Sequence, residues 1–170
     1  MLIQKRNMSH YLKIKDKIIK ENSLDKLISE WKQSGESIVF TNGCFDIIHQ
    51  GHIDYLSKAA DKGSKLIIGV NTDSSVSKIK GPSRPIQDEY SRMMILAAME
   101  FVDAVILFDE ETPINLINRV IPKVLVKGSD YKAEDIVGYD TVISHGGKVE
   151  TIDFLPGYST SAIENKILKK

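Results

Sequence analysis

Five short runs rich in β-branched residues punctuate the chain: SIVFT at 37–41, KLIIGVN at 65–71, AVILF at 104–108, KVLVK at 123–127 and KVETI at 148–152. The middle runs are almost continuously apolar, and a strand of that kind must be covered on both faces. The segments between them carry helical spacing instead. His52, Tyr55, Leu56 and Ala59 form one stripe; Met94, Ile95, Ala98, Phe101 and Val102 form a second; Ile114, Ile117 and Ile121 form a third. Strands alternating with helices imply crossover connections and a parallel sheet. The expected fold is therefore α/β: a Rossmann-like, doubly wound parallel sheet of about five strands occupying residues 35–170. Ahead of it, residues 1–34 read as a helical extension. KLISEWK at 26–32 predicts a helix with Ser23 as its N-cap and Gly35 just past its end. The lysine-rich residues 1–22, with spaced Ile and Leu, predict a further helix or arm that could join a second subunit into a homodimer.

Composition removes several classes of function. Lys and Arg total 23, as do Asp and Glu, so no global field draws the chain to nucleic acid or an anionic membrane. An anion must be held by a local site. The single cysteine, Cys44, excludes an internal disulfide and a multi-cysteine zinc site, and it fits a reducing cytoplasmic setting. The first residues, MLIQKRNMSHYLKIKDK, lack the apolar core of a secretory signal, and no apolar stretch approaches the ~18 residues of a membrane span.

The chemistry concentrates after the first run, in Thr41-Asn42-Gly43-Cys44-Phe45-Asp46-Ile47-Ile48-His49-Gln50-Gly51-His52. A buried strand ends, a glycine-containing turn follows, and a helix begins near Gly51. Ligands of open α/β sheets sit at the carboxyl ends of strands. Free N–H groups at the helix start attract phosphate, and Gly51 leaves room for close approach. His49 and His52, three apart, can face one pocket and stabilise charge building on a phosphoryl group. A metal would need a third ligand, and HExxH spacing is absent. A bland alternative makes one histidine a helix cap and the other a surface residue. Neither GxGxxG nor GxxxxGK[ST] occurs, which disfavours a dinucleotide-dependent dehydrogenase and a P-loop kinase.

The string GCFDIIHQGH resembles the HxGH signature of the cytidylyltransferase-like nucleotidyltransferases. TNGCFD followed by HQGH is most similar to the adenylyltransferase domains that make ADP-heptose. VNTD (70–73), KGPSRP (80–85), VKGSDY (126–131) and YSTSAI (158–163) follow in order, so the resemblance runs from about Ile38 to Ile167. It implies transfer of AMP from ATP to D-glycero-β-D-manno-heptose 1-phosphate, giving ADP-heptose and pyrophosphate for lipopolysaccharide or other surface-glycan assembly. A glycerol-3-phosphate-type cytidylyltransferase using CTP is the alternative within the family. A nucleotide-binding module without catalysis is the alternative outside enzymology.

His49, His52 and Lys80 are the expected catalytic residues. Thr41, Asn42, Gly43, Cys44, Phe45 and Gly51 are expected around the nucleotide, as are Gly128, Asp130 and Tyr131 after the fourth strand. Gly128 would let a base or phosphate pack on the backbone. Ser159, Thr160 and Ser161 open a last helix from about Ala162 to Leu168, where the resemblance places the β and γ phosphates. The family's usual ISTTK is altered here: Tyr158 replaces the Ile and Ala162 the Lys, and Leu155-Pro156-Gly157 replaces a basic residue. Heptose adenylyltransferases share the missing lysine, which favours ATP over CTP.

Lys78 and Lys80 read as members of a loop, kept non-helical by Gly81, Pro82 and Pro85, from which their charges would reach phosphates of the nucleotide or sugar; a solvated surface loop is the bland alternative. Arg84 and Arg92 could clamp a sugar phosphate through bidentate bonds, Arg92 being equally an exposed position of a helix over 89–101. Asp73 could take sugar hydroxyls or cap the next helix. Asp46 is placed with these residues around the substrate, where it would orient a histidine or the turn backbone, and Cys44 is expected to be a small buried residue and no nucleophile. No dedicated metal cage is visible, so Mg²⁺ would arrive with ATP.

Overall fold

Alternate residues along each inner strand point to opposite faces of the sheet, and both faces are dry. In Lys65–Asn71 (β2), Leu66, Ile68 and Val70 enter one core while Ile67 enters the other. This double burial is why the strands read as unbroken apolar runs. The computed structural model describes residues 9–130 and 132–168. The remaining strands are Ile38–Gly43 (β1), Ala104–Phe108 (β3), Val124–Gly128 (β4) and Lys148–Ile152 (β5). All pair in parallel in the order β3-β2-β1-β4-β5, as a doubly wound α/β sheet requires. The order reverses at β1 and β4, which opens a crevice at their carboxyl ends.

One face is covered by the helices Gln50–Ala60 (α3) and Glu89–Ala97 (α5), through Tyr55, Leu56, Ala59, Met93 and Leu96. Leu24–Gln33 (α2), Ile114–Val120 (α6) and Tyr139–Ser144 (α7) cover the other, through Leu24, Ile28, Ile117, Val120 and Val142. The predicted α2 is thus present, with Ser23 at its N-cap position and Gly35 at φ +77 just beyond it, and it belongs to the same core as the sheet. His10–Asp16 (α1) is capped by the Ser9 hydroxyl. The chain after α1 then runs along β3. Ile19 N–H donates to Val105 O and Val105 N–H to Lys17 O, each at 2.8 Å. The arm so covers the edge strand of its own sheet and satisfies groups that would otherwise lie open to pairing.

Two sequence expectations need correction. Asp73–Lys80 is a helix (α4), so Lys78 and Lys80 occupy its last turn and no loop. Thr72 starts it by accepting the Ser75 N–H, Val76 buries itself beneath it, and Gly81 at φ +100 ends it. Helix α5 stops at Ala97, short of Phe101. The chain turns there to bury Val102 and to place Asp103, whose carboxylate accepts the Leu66 N–H at 2.9 Å. Thr160–Leu168 (α8) is the last described helix, two residues longer at its start than expected, and none of its residues is buried. No described helix is long and apolar enough to cross a membrane.

Candidate active site

The turn between β1 and α3 is held open by three constraints. Phe45 adopts φ 49, a left-handed conformation that costs a bulky side chain energy. Its buried ring folds back over Gly43, where a Cβ would lie 3.1 Å from the ring. Asp46, 2% exposed, accepts the N–H groups of Ile86 and Gln87 and the Arg84 guanidinium. Burial pushes its pKa up, but the Gln87, Arg84 and Ile86 bonds outweigh that and hold the carboxyl below its ordinary value. Asp46 therefore ties the turn to the 81–88 segment and orients no histidine.

Helix α3 starts at His49, the N-cap residue, without a side-chain capping bond. Its first N–H groups have no intrahelical acceptor by helix geometry. The His49 and His52 rings stack with centroids 3.9 Å apart and 23° between planes, and Phe45 meets His52 edge-on at 5.5 Å. Both Nδ1 atoms are buried with no hydrogen-bond partner. Burial lowers the His49 pKa. Burial, then the facing His49, then Lys80 lower that of His52 to about 4. Both rings are therefore neutral at pH 7 in the free protein. Lys80, exposed at the end of α4, is close enough for its charge to act on both His52 and Cys44. Burial is the main cause of a raised Cys44 pKa, which suits an inert thiol.

Across from the histidines stands the segment that leads into α8. A cavity of about 280 Å³ is lined by His49, Gly51, His52, Tyr55, Tyr158 and Ser159, with Phe154 and Leu155 completing its wall. A Cβ on Gly51 would fall 3.1 Å from both the His49 ring and Tyr158 Cβ, so this glycine lets the two segments meet. Ser159 Oγ accepts the Ala162 N–H at 3.1 Å and caps α8. Thr160 and Ser161 follow in its first turn, so the N-terminal ends of two helices border the same cavity. A larger cavity of about 730 Å³ lies beside the end of β3, bordered by Glu21, Asp109 and Glu110 as well as Lys20 and Arg119. Its carboxylates suit a polyanion poorly.

Several expected contacts are committed elsewhere. Arg92 is 0% exposed; it is neither a surface residue nor a phosphate clamp. Its guanidinium donates to the carbonyls of Gln87, Cys44 and Asn71 and to Asp73 at 2.7 Å. Asp73 is accordingly the ion partner of Arg92 in the first turn of α4, and Thr72 takes the cap. Arg84 is held between Asp46 and Glu164. Thr41 turns its hydroxyl into the core, 2.8 Å from the Tyr55 hydroxyl, because β1 alternation points it at α3. The Phe154 ring packs on the backbone of Gly128, where a base or phosphate was expected. The charge of Lys78 acts on Asp109 at the end of β3 and is not among the charges acting on His52. Asp130 is exposed beyond β4, and Tyr131 lies outside the described residues. Among the described residues no group of three or more His, Cys, Asp or Glu gathers to hold a metal.

The sequence reading missed Tyr55 and Phe154, aromatic walls of the cavity, and Lys127, the penultimate residue of β4, with its ammonium 3.3 Å from Asn42 O. A lysine at the carboxyl end of an otherwise buried strand was the available clue to the last.

A parallel sheet of this order, with a histidine pair at the first strand–helix junction, defines a Rossmann-like domain with a candidate phosphate site at the carboxyl end of its first strand. The cytidylyltransferase-like family profile matches residues 40–166, and the chain belongs to that family. The Bifunctional protein HldE of Methylobacillus flagellatus is 54% identical over 152 residues, 89% of this chain and 31% of that protein. The Bifunctional protein HldE of Rhodopseudomonas palustris strain BisB5 is 47% identical over 156 residues, 91% of this chain and 32% of that protein. The chain thus spans about a third of the length of these relatives. Among solved structures, the lipopolysaccharide core biosynthesis protein of Thermoplasma volcanium matches with TM-score 0.58 and 29% identity, over 71% of this chain and 98% of the other. The pantoate-beta-alanine ligase of Francisella tularensis, at 15% identity and TM-score 0.55 over 90% of this chain and 78% of the other, shares the fold.

Proposed function

We propose that this nucleotidyltransferase transfers AMP from ATP to D-glycero-β-D-manno-heptose 1-phosphate, releasing pyrophosphate and forming ADP-heptose. The observation that carries the reading is the stacked His49–His52 pair, with buried unpartnered nitrogens, at a helix start that faces a second helix start across a small cavity. A triphosphate would lie across this cavity. Its α-phosphate would lie at the histidines and its β and γ phosphates at Ser159, Thr160 and Ser161. The ADP-heptose assignment draws on the TNGCFD, HQGH and VKGSDY motifs, the missing lysine at Ala162 and the likeness to the HldE proteins and to a lipopolysaccharide core biosynthesis protein. A cytoplasmic setting accompanies it.

The acceptor phosphate is already an anion near neutral pH, so no base is required. One of its oxygens bonds to the α-phosphorus, the bond from that phosphorus to the bridging oxygen breaks, and pyrophosphate leaves with the electron pair. Charge builds on the α-phosphoryl oxygens. The imidazole N–H groups and the Lys80 ammonium stabilise it more in the transition state than in the ground state. Mg²⁺ enters as part of the Mg–ATP substrate, carried by phosphate oxygens.

Pyrophosphate release, measured with ATP or CTP crossed with heptose 1-phosphate or glycerol 3-phosphate, tests the reading. Turnover is expected for ATP with heptose 1-phosphate, with a loss of about 10²-fold or more in His52→Ala. Turnover confined to CTP and glycerol 3-phosphate would replace the substrates. Full turnover by His52→Ala would displace the chemistry from this site.

A further inference from the structure

Lys127 and Asn42 project from adjacent strands onto one face. Leu125 and Phe40 enter the core on the α2–α6 side, and two residues further on, strand alternation turns Lys127 and Asn42 the same way. They meet at the carboxyl ends of β1 and β4, where the strand order reverses. Lys127 Nζ donates to Asn42 O at 3.3 Å, its single hydrogen bond among the described residues, although an ammonium carries three N–H groups. Beside it, Asn42 Oδ1 is buried without a partner. An unspent donor and an unspent acceptor therefore share one end of the crevice. Burial lowers the Lys127 pKa to about 8, against the opposing charges of Asp130 beyond β4 and Cys44 in the β1 turn. A charge kept there is costly until an anion joins it.

In-line transfer brings two phosphates into contact, and their repulsion must be offset on both sides. Lys80 and the histidines serve the nucleotide side. We propose that Lys127 and Asn42 form the acceptor end of the site, selective for a polyol phosphomonoester. The Lys127 ammonium takes a phosphate oxygen, and Asn42 Oδ1 takes a hydroxyl of the attached polyol. This assignment rests on the nucleotidyl-transfer reading above, and it moves Asn42 from the nucleotide to the acceptor.

The test follows the Lys127 ammonium by NMR, assigned with Lys127→Arg, through a pH titration with and without inorganic phosphate. With phosphate the midpoint should rise by about one pH unit. A midpoint indifferent to phosphate would overturn the subsite. Kinetics of Lys127→Met supply the second readout: KM for the sugar phosphate should rise about tenfold or more while KM for ATP stays within about twofold, and Lys127→Arg should recover part of the loss. A lysine that only ties β4 to Asn42 would move both constants together, and that result also overturns the proposal. If phosphate shifts Lys127 but heptose 1-phosphate is not turned over, the subsite stands and the sugar assignment falls.

Discussion

Burial, the facing His49 ring and the charge of Lys80 together bring the His52 pKa to about 4. The ring takes up a proton more readily when the chain is unfolded, where histidine titrates near its ordinary value of about 6.5. Above that value both states are neutral and the group costs nothing. As pH falls from about 6.5 towards 4, the unfolded chain binds more protons and stability drains away. His52→Asn should therefore lose less thermal stability than the wild type between pH 7 and pH 4.5. Parallel losses in calorimetric melting points would contradict the burial and charge assigned to this ring. Arg92 makes the opposite kind of case. Arg92→Met would remove the guanidinium donors to the Cys44 and Asn71 carbonyls, and an unfolding free energy lowered by about 3 kcal/mol or more is expected in urea denaturation. A loss under about 1 kcal/mol would show that water replaces the guanidinium. The sequence could not assign Arg84 and Arg92 because a guanidinium fork fits phosphates and protein acceptors alike. Their partners lie far off along the chain: Arg84 joins Asp46 38 positions away and Glu164 80 positions away.

Helix α8 owes little to the core, since none of its residues is buried. It is linked to the body by the Glu164–Arg84 pair and, just ahead of its first residue, by the Tyr158 contact at Gly51. Glu164→Gln should thus leave overall stability within about 1 kcal/mol while raising KM for ATP by up to about fivefold. An unchanged KM would mean that α8 is positioned without this pair. At this scale the chain was largely readable. The bounds of β2 and β3 coincide with the apolar runs, because buried strands announce themselves; β5 also matches its run, KVETI, although only Ile152 of it is buried. Helix α4 was not readable, because Thr72 begins it inside a polar stretch and only Val76 is an apolar residue fully buried within it. The early end of α5 was hidden too, since Phe101 and Val102 continue its apolar spacing after the helix has stopped.

For the whole molecule, one sheet order sets the division of labour. The β1–β2 side carries the histidine pair and, through α4, Lys80; the β4–β5 side brings Lys127 and the segment leading into α8. The position of the histidines at the first strand–helix junction was legible from the run TNGCFDIIHQGH. The crevice itself was not, because strand order decides which carboxyl ends adjoin, and nothing in the linear spacing fixes that order. The arm that covers β3 belongs to the same scale, since it joins residues 17–19 to a strand near 105. A crystal structure of the protein with Mg²⁺ and α,β-methylene-ATP tests the central claim most directly. The account requires an α-phosphate oxygen within hydrogen-bonding distance of both the His49 and His52 rings, with the γ-phosphate at the first turn of α8. A nucleotide seated in the cavity beside β3, with those rings making no contact to it, would contradict the account.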